Sequence, residues 1–119
     1  MIMKRLITVI TLLLLSFGAN AKIPASERES HCKNAASLAE SIMESRQRNN
    51  LTIVEEIDII NKIVKDRTDK VAINTRNVMK SMAMDAYSET PYMTKEYQER
   101  AVKDFTNKYY LECIRQNSD

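Results

Sequence analysis

Apolar residues recur at spacings of three and four through most of the chain beyond residue 26, a period that predicts helices rather than strands. Cys32, Ala35, Ala36, Ala39, Ile42 and Met43 form one stripe of a first helix over residues 27–48. Asn49 and Asn50 close it, because asparagine is the best residue after glycine for a left-handed C-terminal position. Thr52 and Glu55 are spaced as a capping box and open a second helix. Its buried face is expected at Ile53, Val54, Ile57, Ile60 and Val64, with Ile63 at the edge. A polar stretch at 65–70 then interrupts the pattern without Pro or Gly, an interruption that a kink would satisfy.

In a third helix, over 68–87, Val71, Ala72, Val78, Met79, Met82, Ala83, Ala86 and Tyr87 cover a broad arc. Ile73 and Met84 extend that arc past half the wheel, so this helix packs on two sides or offers apolar surface to a partner. Pro91 marks a loop at 88–93, and Thr94 caps a fourth helix running to Gln116. Tyr97, Ala101, Phe105, Tyr109 and Cys113 repeat along it every four residues, with Val102 alongside. Tyr109 and Tyr110 are consecutive, so one of the two is expected at the surface. The expected fold is a small all-α domain of four helices.

The first residues change the picture of charge and location. Lys4 and Arg5 precede an apolar run over 6–17, and Ala19-Asn20-Ala21 is a small-residue cleavage pattern. We read residues 1–21 as a secretory signal peptide cleaved near Ala21/Lys22, and 22–119 as a single helical domain. The apolar run is shorter than the roughly 20 residues a spanning helix needs, so no membrane span is expected after cleavage. Cleavage removes Lys4 and Arg5 from a chain with 18 Lys+Arg against 16 Asp+Glu, which balances the remainder. A balanced charge with alternating signs argues against nucleic acid as a partner. The single glycine, Gly18, leaves as well, which rules out glycine-rich phosphate loops in the domain.

Export also sets the chemistry of the two cysteines, Cys32 and Cys113. An even cysteine count in an oxidising compartment points to a disulfide between them. Closing that long loop contributes about 4.5 kcal/mol in the chain-entropy picture. It would place the ends of helices one and four together and set the two antiparallel. The competing role, a reactive Cys32 with His31 as its base, is disfavoured because adjacent helical residues diverge by about 100°.

Candidates for other chemistry are few. His31 is the only histidine, and with Glu27 it supplies too few ligands for a structural zinc site. It is expected at the surface near a helix start. Glu55 and Glu56 fit the acidic first turn that a helix dipole favours. No metal, cofactor or catalytic residue is expected. Interface candidates stand out instead: Arg46 and Gln47 at the end of helix one, Ile73 and Met84 on helix three, and Tyr87, Pro91 and Tyr92 around the loop. Met79 and Met82 fall within the core arc, whereas Met84 does not.

Cys32, Ala39, Ile42-Met43, Arg46-Gln47, Ala86-Tyr87, Pro91-Tyr92, Tyr97, Arg100-Ala101, Phe105 and Tyr110-Leu111-Glu112-Cys113 together form a spaced pattern across the domain. In that pattern the chain resembles a group of uncharacterised small exported proteins of Gram-negative bacteria and their phages. The group usually carries a glycine after the Arg-Gln pair, where Asn49 and Asn50 stand here. The resemblance implies a periplasmic helical domain and supplies no activity.

The expected function is a non-enzymatic binding or inhibitory module acting on a periplasmic or envelope protein. Two alternatives are a small periplasmic enzyme or metal-binding protein using His31 with nearby acids, and a phage-encoded modulator of lysis or superinfection.

Overall fold

A computed structural model describes residues 24–63 and 65–118, so the expected signal peptide and Val64 lie outside the described residues, as does the side chain of Val71. Four helices follow one another: α1 (Ala25–Arg48), α2 (Ile53–Ile63), α3 (Lys70–Ser88) and α4 (Lys95–Gln116). No strand occurs among the described residues, and the all-α, four-helix expectation holds.

Each boundary has a local cause. Pro24 precedes α1 in extended geometry, and its carbonyl accepts from the N–H groups of Glu27 and Arg28. At the far end Asn50 takes a φ of 55°, the left-handed turn that glycine usually serves. Both bonds of the capping box form: Glu55 N donates to Thr52 Oγ1 at 3.2 Å and Thr52 N to Glu55 Oε1 at 3.1 Å. The stretch after Ile63 is a full break rather than a kink. Asp69 causes it, accepting from Ala72 N at 3.3 Å while Arg67 grips both its carboxylate oxygens. Thr94 caps α4 by accepting from Tyr97 N at 3.3 Å.

The helices run up, down, up and down. Cys32 and Cys113 form the expected disulfide, with Cα atoms 5.5 Å apart, at one end of the α1–α4 pair. Gln47 and Tyr92 are hydrogen-bonded at its other end, so α1 and α4 are antiparallel. Tyr87 at the end of α3 donates to the Leu51 carbonyl just before α2, which sets those two helices antiparallel as well. The core is built around Cys32, Leu38, Met43 and Ile60, all fully buried. Ala35 and Ala39 of α1 and Ala72, Ala83 and Ala86 of α3 are buried too, and such small side chains let helix backbones approach closely. Burying one side chain of the size of Leu38 stabilises the fold by about 1.5–3 kcal/mol.

Several expected orientations are corrected. Val54 is 66% exposed, and Glu56 takes the inward position instead. At 3.6 residues per turn Glu56 stands about 40° from Ile60, whereas Val54 stands about 120° away. Tyr97 is exposed rather than packed, because the four-residue repeat drifts until Tyr97 lies about 160° round from Cys113. Tyr109 and Tyr110 are both half-buried against the core. They face different neighbours: Tyr109 bonds to Asp85 of α3, and Tyr110 lies within electrostatic reach of Lys33 of α1. His31 is buried, at the bundle end that the neighbouring disulfide closes. Met79 and Met82 are core residues, and Met84 is 61% exposed.

Candidate functional site: a clamped aromatic loop

The segment 89–94 joins α3 to α4, and its backbone is held by side chains from both flanks of the bundle. Ser88 ends α3 with its hydroxyl on the Asp85 carbonyl at 2.6 Å. Arg46 of α1 donates from Nε and Nη2 to the Glu89 carbonyl, at 3.2 and 3.1 Å. The same guanidinium lies 5.0 Å over the Tyr87 ring. Gln47, one residue on, is only 6% exposed. Its Nε2 donates to the Thr90 carbonyl at 2.7 Å, and its Oε1 accepts from Tyr92 N at 2.8 Å. From the α4 side, Gln98 Nε2 donates to the Tyr92 carbonyl at 2.8 Å.

The side chains of this loop point outward. Pro91 and Tyr92 are exposed, and Met93 is 95% exposed. Tyr97, on the first turn of α4, is exposed too and stacks obliquely on Tyr92 with ring centroids 5.9 Å apart. Arg100 lies 5.4 Å over the outer ring of that pair. A loop with this many side-chain anchors keeps little conformational freedom to lose on binding. Apolar and aromatic groups on a rigid support are what a protein contact surface needs.

The interface candidates therefore divide. Arg46 and Gln47 lie beneath the loop and hold its backbone, whereas Tyr87 sits under the Arg46 guanidinium and bonds to the Leu51 carbonyl. Pro91 and Tyr92 form its outer surface. Ile73 and Met84 are exposed on α3, about three turns apart. Met93 and Tyr97 were missed as contact residues. Met93 could have been found, since it precedes the Thr94 cap and belongs to neither helical stripe.

Two other concave regions flank the bundle. A cavity of about 430 Å³ between α1 and α4 is ringed by charge, including Glu40, Glu44, Arg48, Glu99 and Lys103. A second, of about 280 Å³, is lined by apolar Ala35, Val78 and Met82 and by polar Asn77, Ser81 and Glu112. Near it Asp85 accepts from Lys108 Nζ at 2.7 Å and from the Tyr109 hydroxyl at 2.9 Å. Burial, and then the Asp85 bond, hold the Tyr109 phenol well above the usual tyrosine range.

Among the described residues no group of three or more His, Cys, Asp or Glu side chains could hold a metal ion, and no helix is long and apolar enough to cross a membrane. No protein family matches the sequence, and no curated protein or solved structure matches the chain.

Proposed function

We propose that the chain is a small exported binding or inhibitory module that engages a periplasmic or envelope protein through Pro91, Tyr92, Met93 and Tyr97. The observation that carries this reading is the contrast within one loop. Its carbonyls at 89, 90 and 92 are all bonded by side chains, yet Met93 is almost fully exposed. Keeping a large apolar side chain in water has no folding benefit, and a buried glutamine spent on fixing that loop suggests a role in recognition. The disulfide supports an oxidising compartment such as the periplasm. The alternative that uses His31 as a reactive or ligating group has less support, because the ring is buried.

A photo-crosslinking residue at position 93 of the exported chain tests the reading. It should capture a discrete protein that the same residue at position 54, another exposed apolar site, does not capture. Substituting Tyr92→Ala and Tyr97→Ala should remove that adduct. Identical adducts from both positions, or none from position 93, would count against the proposal.

A further inference from the structure

Among the described residues Glu56 is the one buried glutamate, only 5% exposed. Its Oε2 is sealed from solvent and meets no hydrogen-bond partner among the described residues. The side chain it does meet is Ser45 of α1, whose hydroxyl already donates its proton to the Ser41 carbonyl at 3.2 Å. That hydroxyl can donate to a Glu56 carboxylate only by leaving the Ser41 carbonyl, so it offsets the cost of burial only in part. None of the basic side chains forms an ion pair with it among the described residues. From α3, Tyr87 feels the Glu56 charge. From α1, the Arg46 guanidinium sits over the Tyr87 ring and is committed to the Glu89 carbonyl. Glu55, on α2 itself, adds a like charge that Tyr87 also feels.

We propose that Glu56 acts as a pH-sensitive latch, holding α2 against α1 while its carboxyl group is neutral and loosening as it ionises. Burial of the carboxyl group raises it above the ordinary glutamate range, and the Ser45 contact opposes that shift without cancelling it. The sign follows from linkage. Below the ordinary glutamate value of 4.5 the full contribution is present, and it is lost as the pH rises through the higher folded value. The short α2 is the natural element to respond. It is held by Ile57, Ile60 and Ile63 and by the Tyr87–Leu51 bond at its start. This inference does not depend on the binding role of the loop.

Hydrogen exchange of the α2 amides in the full chain reads the latch directly. After correction for base-catalysed exchange, protection should fall about threefold or more as the pH rises from about 4 to about 8, and the fall should vanish in Glu56→Gln. Equal losses in both proteins would overturn the proposal, and so would lower protection of the variant throughout the range. If the variant does not fold, a carbon-13 titration of the Glu56 carboxyl in the unaltered chain decides. A midpoint above 4.5 supports the latch, and a midpoint at or below 4.5 overturns it.

Discussion

Gln47 and Tyr92, far apart in sequence, are joined by a 2.8 Å hydrogen bond from the Tyr92 backbone N–H to the Gln47 side-chain oxygen. The other end of the same amide holds the Thr90 carbonyl at 2.7 Å. One side chain thus does for the loop what a neighbouring strand does in a sheet, offering a donor and an acceptor side by side. Its place at the end of α1 closes the α1–α4 pair opposite the disulfide.

Gln47→Leu keeps most of the buried volume and removes both bonds. Removing the partners of a partly buried N–H and carbonyl should cost about 1 kcal/mol in denaturant unfolding. Exchange of the Tyr92 amide should accelerate more than that of the α1 amides, which separates loss of the clamp from general destabilisation.

The Cys32–Cys113 bond spans 81 residues. Serine at both positions should lower stability by about 2–5 kcal/mol in the same assay. Because α4 packs mainly on α1, its amides should lose protection before those of α2 and α3. Retention of the full unfolding free energy in reducing buffer would contradict this role.

Tyr109 should be the last tyrosine to ionise in an alkaline absorbance titration. Its neutral form is favoured first by burial and then by the bond to Asp85, so its stabilising effect is present below 10.0 and lost as the pH climbs above that value. Asp85→Asn should bring its ionisation to lower pH and weaken the fold by about 1 kcal/mol at neutral pH.

His31 has the opposite pH signature to Glu56. Burial lowers its pKa from 6.5, so the unfolded chain takes up the proton first. Stability linked to it is complete above 6.5 and is lost as the pH falls through the lowered folded value. His31→Gln should flatten the decline of thermal stability on acidification, and an unchanged slope would exclude the effect.

Much of the fold was legible because its signals are local. The Thr52–Glu55 box, the Thr94 cap and the asparagine ending α1 each act within a turn of their own helix. The separation of Met79 and Met82 from Met84 followed from helical phase alone. The role of Arg46 and Gln47 was not legible, since their partners at Glu89, Thr90 and Tyr92 arrive from a distant part of the chain. In the sequence they read as interface candidates at a helix end, and folding turned them onto the loop backbone instead. Val54 and Glu56 exchanged their expected places because a hydrophobic pattern defines an arc without fixing which polar residue at its edge is enclosed.

The sequence alone determined four helices, most of their ends and the pairing of two cysteines, because periodicity, caps and an even thiol count act through near neighbours or through covalent chemistry. Tertiary structure decided which side chains meet across the bundle. It put His31 and Glu56 inside, set Tyr97 and Met93 outside, and spent Gln47 on the loop backbone. Those outcomes depend on how helices rotate and approach one another, and a residue's own neighbours in sequence carry no record of that.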